Sequence, residues 1–175
     1  MMKRNQQRSF GFTLIELLII LFVLVVTLAL AVPAMQEMVK NNRLTGQANE
    51  MISLVAFARN EALRRNESIT LVIRGEPSGW DAEVLDPDGD GTEACGPGAL
   101  RCAAYSQVQL DGLPDGEQMN LVFNNRGYLD PFSSVDFAME HVHCTDGQSQ
   151  RRNIVLRPTG QLESCRAQCG SFDCE

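Results

Sequence analysis

The feature that most constrains this chain is the run from Leu17 to Val32, which carries no charged side chain and only one polar one, Thr27. With Phe12 to Ile15 in front, apolar sequence reaches Pro33 over about 20 residues. That is roughly 30 Å of helix, the depth of a bilayer core. Lys3, Arg4 and Arg8 precede it. Cations beside a span stay on the cytoplasmic side, which sends the rest of the chain across the membrane. Glu16 interrupts the run at its start. A carboxylate is costly in hydrocarbon, so one found there is a functional-site candidate. A secretory signal has a shorter apolar core followed by a small-residue cleavage site, to which Leu30-Ala31-Val32-Pro33 corresponds only loosely. A plain signal anchor accounts for the span and its basic flank, but not for Glu16 or Gly11.

Beyond the run, helical periodicity continues to about residue 66. Met35, Met38, Ala48, Met51, Ile52, Val55, Ala58, Ala62 and Leu63 recur near helical spacing, while Lys40, Arg43, Glu50, Arg59, Asn60 and Arg64 fill the other faces. Pro33 removes one backbone donor and is expected to kink or loosen the helix. Gly46 weakens it by about 1 kcal/mol relative to Ala, and Asn66 is suited to end it. From Ser68 the pattern becomes β-like, with expected strands over 69–74, 80–85, 105–110, 119–124, 135–139 and 153–157. Glu76-Pro77-Ser78-Gly79, Asp111-Gly112, Pro114-Asp115-Gly116 and Asn125-Arg126-Gly127 punctuate them. An amphipathic helix and a one-sided sheet each need a partner, so the expected fold is α+β. A long N-terminal helix, transmembrane and then amphipathic, packs its second half on a C-terminal antiparallel β-sheet. Trp80 and Tyr105 are expected in the sheet core, with an exposed Trp80 as a possible contact anchor.

Gly11-Phe12-Thr13-Leu14-Ile15-Glu16 resembles the class III signal of type IV pilins and pseudopilins. Asn41-Asn42-Arg43-Leu44-Thr45, Gln47-Ala48-Asn49-Glu50, Ala58-Arg59-Asn60-Glu61-Ala62 with Arg64-Arg65-Asn66, and Ile69-Thr70-Leu71 resemble the FimT/FimU/GspH subfamily of minor pilins and pseudopilins. The likeness is strong over residues 10–74. Beyond them, Phe123-Asn124-Asn125-Arg126-Gly127 and Pro158-Thr159-Gly160 echo the subfamily's C-terminal strands. The resemblance implies that a prepilin peptidase cuts between Gly11 and Phe12 and N-methylates Phe12. Pro33 matches the family's helix-kinking proline, and Glu16 matches its acidic assembly residue. A buried carboxylate seeks a partner, and the Phe12 amine of a neighbouring subunit is an opposite charge that would set the register between subunits.

The expected organisation is then a cleaved leader (1–11), a transmembrane and assembly helix (12–33), an amphipathic helix half (34–66) and a disulfide-bonded β-rich domain (67–175). The resemblance implies a non-enzymatic minor pilin that helps initiate type IV pilus assembly. It would be anchored by a single pass in the inner membrane, with its C-terminal domain in the periplasm, and then join the pilus, with the tip as one implied placement. Its implied partners are other minor pilins, the major pilin, prepilin peptidase and the inner membrane. A GspH-like pseudopilin of type II secretion is the nearest alternative. No phosphate loop, zinc-protease motif or catalytic triad signature is present, Ser133 and Ser134 lie in no nucleophile motif, and no cofactor is expected.

Loss of the three leader cations from 15 Lys and Arg leaves 12 against 22 Asp and Glu, a net charge of −10. That acidity argues against broad nucleic-acid binding. Some FimT-like pilins bind DNA in transformation through a Gly-Arg-x-Arg motif. The matching place here reads Gly160-Gln161-Leu162-Glu163, lacking the cations and adding an acid. A DNA-binding role would need a patch built from Arg59, Arg64, Arg65, Arg151, Arg152, Arg157 and Arg166.

All six cysteines, Cys95, Cys102, Cys144, Cys165, Cys169 and Cys174, follow residue 90. An even number confined to the exported part points to periplasmic disulfides rather than zinc, whose paired C-x2-C spacing is absent. The pairing expected here is Cys95–Cys102, Cys144–Cys165 and Cys169–Cys174. Asp86, Asp88, Asp90 and Glu93 resemble the start of a calcium loop, but its twelfth position is Pro97 and a solvated acidic turn is the favoured reading. His141 and His143, two apart on an expected strand, have no evident third metal ligand and read as surface histidines.

Overall fold

A computed structural model describes residues 13–89, 95–96, 98–113, 118–144, 150–171 and 173. The chain divides into two compact units, Met1–Val39 and Lys40–Glu175. One helix, α1 (Leu14–Arg65), runs through the division. It begins at Thr13, whose Oγ1 accepts the Glu16 N–H at 3.3 Å, as an N-cap threonine does. Pro33 lies inside the helix without ending it. In the first unit the described apolar side chains are exposed, and the Thr27 hydroxyl donates to the Val23 carbonyl at 2.8 Å, so the one polar group of the run is satisfied by its own helix. The helix ends where expected. Asn66 takes φ +58°, and the Glu67 N–H donates to the Ala62 carbonyl at 3.3 Å, a Schellman-type closure.

The second unit packs the rest of α1 against two sheets rather than the single sheet expected. The first contains β1 (Ile69–Glu76), β2 (Gly79–Leu85), β3 (Ala99–Ser106), β5 (Gln118–Phe123) and β6 (Leu129–Asp130), in the order β3-β2-β1-β5-β6. The second has the order β4-β7-β8-β9, from β4 (Val108–Asp111), β7 (Val135–His141), β8 (Arg151–Leu156) and β9 (Leu162–Ala167). All pairings are antiparallel. The expected continuous strand over 105–110 is broken at Gln107, whose φ of +71° is incompatible with extended backbone. Its N–H donates to the Ser78 carbonyl and its carbonyl accepts from the Val142 N–H, so this residue carries the chain from one sheet to the other. The early part of β3, the short β6 and all of β9 were not foreseen. The segment around Pro158-Thr159-Gly160 is the turn between β8 and β9, not a strand.

The core follows the two periodicities. Leu44, Ala48, Met51, Leu54, Val55, Ala58 and Ala62 form the helix stripe. Alternate residues of the strands meet it: Ile69, Leu71 and Ile73, then Trp80, Ala82 and Val84, then Leu121 and Phe123 from the first sheet. Val108, Leu110, Phe137, Met139, Ile154 and Leu156 do so from the second. Met35, Met38 and Leu63, assigned to the stripe from spacing, are exposed instead. Tyr105, expected in the core, is 42% exposed because it lies on edge strand β3, whereas Trp80 one strand inward is fully covered.

Candidate functional site: the apolar helix segment and the charged faces of the β unit

Within the first unit every large apolar side chain from Leu14 to Val39 is exposed. The most apolar 18-residue window of α1 has a mean hydropathy of 3.1 and buries nothing, which makes the helix long and apolar enough to cross a membrane. Glu16, in the first turn, is the only charged residue of α1 before Glu37. Its position is favourable for the helix itself, since a carboxylate in the first turn complements the positive end of the helix dipole. Gly11 and Phe12, the expected processing site, lie outside the described residues.

The arginines proposed as a basic patch are not gathered. Arg64 and Arg65 both hold Glu61, at 2.5 Å each, and Arg65 also reaches Asp86 at 2.8 Å. These two guanidiniums pull the Glu61 carboxyl down from 4.5 to about 2. Arg151 is buried on the far face of the second sheet between Asp111 at 2.6 Å and Glu140 at 2.9 Å, and its Nε donates to Asn153. Arg157 is taken by Glu163, whose carboxyl it holds below the usual range. Thus Glu163, the acid in the segment expected to carry cations in a DNA-binding pilin, serves here as an ion-pair partner. The Arg59 Nε donates to the Gly127 carbonyl. Arg152 donates to the Thr45 hydroxyl at 3.1 Å, and Arg166 lies exposed beside it on β9.

The calcium-loop candidates are likewise dispersed. Asp86 is occupied by Arg65, Asp88 sits on the following turn, and Asp90 and Glu93 lie outside the described residues. Among the described residues no group of three or more His, Cys, Asp or Glu is placed to hold a metal. His141 is buried at the end of β7, not on the surface, and its Nδ1 accepts the His143 N–H at 3.2 Å. His143 follows in the turn rather than on the strand.

The structure bonds Cys95 to Cys102, with Cα atoms 5.4 Å apart, and Cys144 to Cys169, 5.8 Å apart. The second bond corrects the expected Cys144–Cys165 and Cys169–Cys174 pairings. Cys165 points to the far face of β9 opposite Asn153, while the chain beyond Ala167 turns back over that face, where the Asn153 side chain donates to the Ser171 carbonyl. That return brings Cys169 to Cys144. Cys165 is also disulfide-bonded, and Cys174 lies outside the described residues.

Two polar clusters carried no recognisable sequence signal. Gln47 sits in the core between Trp80 and Ser106. On the far face of the first sheet Arg74 lies between Asp81, at 2.6 Å, and the buried Glu83. Only the β1–β2 register, Arg74 opposite Asp81 and Val72 opposite Glu83, explains that cluster.

The model of the GspH family, described as type II transport protein GspH, matches residues 47–160, well over half of the chain. The chain belongs to the GspH family. The match begins on the helix stripe at Gln47 and ends in the β8–β9 turn at Gly160, so it spans the helix half and most of both sheets. A comparison with curated proteins finds no match. Among solved structures, the type IV minor pilin FimU of Pseudomonas aeruginosa strain PAO1 is similar in two crystal forms, each at 19% identity. One form covers 72% of this chain and 90% of FimU with a TM-score of 0.50; the other covers 69% and 90% with 0.48. The likeness in the first form is one of fold: a long N-terminal helix with antiparallel sheets. The chain is therefore a GspH-family protein with a type IV pilin-like fold.

Proposed function

We propose that this GspH-family protein is a minor pilin, a structural subunit that helps start assembly of a type IV pilus. The observation that carries this reading is the form of α1. From Leu17 to Val32 it carries no charge and its large apolar side chains are exposed, while its second part packs into the core of a disulfide-bonded β unit. An exposed apolar helix of this length needs either lipid or other apolar helices around it. A subunit that passes from a bilayer into a helical bundle has both in turn. In this reading prepilin peptidase cuts after Gly11 and methylates Phe12. Glu16 pairs with the Phe12 amine of a neighbour, and Pro33 loosens the helix enough to pack in a bundle. The β unit occupies the periplasm before assembly and meets other minor pilins and the major pilin in the filament.

The matched family description, type II transport protein, supports a second reading: a pseudopilin of a secretion system, with the same processing and different partners. The test of the common pathway is the intact mass of the protein from membranes with and without prepilin peptidase. The expected result is loss of residues 1–11 and gain of one methyl group, dependent on the peptidase and abolished by Gly11→Ala. An uncut chain, or one cut after the apolar run, would refute it. Co-purification with pilins or with secretion pseudopilins then separates the two readings.

A further inference from the structure

From Lys40 onward the sequence has 20 acidic and 12 basic residues, a net charge of −8. Most of its arginines are absorbed by carboxylates: Arg64, Arg65, Arg74, Arg101, Arg151 and Arg157 all have ion-pair partners. Of the other five, Arg59 and Arg126 lie at the β5–β6 turn, and Arg43, Arg152 and Arg166 have no ion pair among the described residues. These three lie at one end of the β unit. Arg152 is held against Thr45 on α1, and Arg166 is its register partner on β9, so two like charges stand directly opposite on one face. Like charges in that position are destabilising unless something negative joins them. The nearby Glu140 does not, because it lies on the other face of the sheet with Arg151. On the other flank of the same helix turn, Arg43 and the exposed ring of Tyr105 line an open hollow of about 480 Å³ with Gln47 and Gln107.

This end of the unit is also where the chain arrives from the apolar segment. The apolar run ends at Pro33, and Arg43 follows ten helical residues on, about 15 Å of rise, with the exposed Met35, Met38 and Val39 between them. We propose that Arg43, Arg152 and Arg166, with Tyr105 beside them, bind the anionic headgroups of the phospholipid bilayer in which the subunit is anchored. Guanidiniums recognise phosphate oxygens in a bidentate manner, and a tyrosine, apolar in body and polar at its tip, suits the bilayer interface. A lipid surface fits better than a nucleic acid. The patch is confined to the end where the chain arrives, and the rest of the unit carries the net negative charge that would repel a long polyanion. The inference rests on the membrane-anchored reading given under Proposed function.

The test uses the full chain in lipid nanodiscs of phosphatidylcholine, with a photoactivatable headgroup analogue of either phosphatidylglycerol or phosphatidylcholine. Crosslinks are mapped by mass spectrometry. The expected result is a several-fold excess of anionic-lipid crosslinks in peptides containing Arg43, Tyr105 or Arg166. That excess falls by about fivefold for each of Arg43→Gln, Arg152→Gln and Arg166→Gln, and falls with added salt. Arg43→Gln changes only an exposed helix position, so it reads the patch even if a strand variant misfolds. Arg126→Gln, remote on the β5–β6 turn, should change nothing. Equal yields from both lipids, an unchanged excess in Arg43→Gln, or an equal fall in Arg126→Gln would overturn the inference while leaving the anchor intact. Displacement of the anionic-lipid crosslinks by duplex DNA at moderate salt would overturn it in favour of a nucleic-acid surface. A chain that fails to enter nanodiscs of either composition would overturn the membrane-anchored reading itself.

Discussion

The Trp80 indole N–H donates to the Gln47 side-chain oxygen at 2.8 Å, and the amide end of the same glutamine donates to the Ser106 carbonyl at 3.0 Å. Gln47 is 5% exposed and Trp80 is 1%. One buried amide therefore joins α1 to β2 and to the end of β3. It orients the largest side chain of the core by a directional contact rather than by packing alone.

Gln47→Leu should be costly for that reason, although it is apolar and of similar size. It leaves the buried indole N–H without its acceptor and the Ser106 carbonyl without a donor. The expected loss is about 1–3 kcal/mol, seen as a lower midpoint in denaturant unfolding of the detergent-solubilised chain. The paired variant Gln47→Leu/Trp80→Phe should recover part of that loss, because it removes the orphaned donor too. A single variant as stable as wild type would mean that the amide is not part of the folded core.

Two glycines should respond in opposite directions to alanine. Gly160 has φ +74°, and a Cβ there would lie 2.7 Å from the Gly127 carbonyl oxygen and 2.8 Å from the Arg59 side chain. Gly160→Ala is expected to destabilise by about 1–3 kcal/mol. Gly46 is inside α1, and a Cβ there meets nothing within 4 Å. Gly46→Ala is expected to stabilise by about 1 kcal/mol. Thermal unfolding of the two variants side by side checks both signs.

Acid should weaken the C-terminal end of α1. The Glu61 carboxyl is pulled to about 2 in the folded chain by Arg64 and Arg65, below its ordinary 4.5. A depressed carboxyl contributes stability that is present above the unfolded value and lost as the pH falls through the folded one. The loss should therefore run from about pH 4.5 down to about 2. Glu61→Gln should flatten the stability profile in that window and lower stability at neutral pH. An unchanged acid limb in the variant would remove Glu61 from the account.

Peptide mapping without reduction should recover Cys144 joined to Cys169 and Cys95 joined to Cys102. Cys144→Ser is expected to destabilise the β unit by about 2–5 kcal/mol. Recovery of a Cys144–Cys165 peptide as the main species would contradict the return of the chain over β9.

The helix was legible because its signals are local. Apolar run, helical spacing and the Asn66 cap each act within one or two turns, and α1 begins and ends within two residues of the expected bounds. The strands at 69–74, 80–85 and 119–124 were legible for the same reason, each bounded by turn residues. β9 was not, since Leu162-Glu163-Ser164-Cys165-Arg166-Ala167 has little apolar alternation and becomes a strand only by pairing with β8. Gln107 offered no turn signal either, because what places it is a choice between two sheets. For the candidate site, the sequence displayed the apolar segment with Glu16, but it could not sort the arginines into paired and unpaired.

By itself the sequence determined where an uncharged helical run must lie, where the long helix that contains it must stop and that a β-rich unit follows, because hydropathy and capping are properties of neighbouring residues. Only the tertiary structure decided that the strands form two sheets, that Cys144 meets Cys169, and that Arg151 is enclosed by carboxylates while Arg152 and Arg166 have none among the described residues. Those outcomes depend on register between distant strands. A shift of one residue in that register exchanges the two faces of a sheet, and with them every partner its side chains can reach.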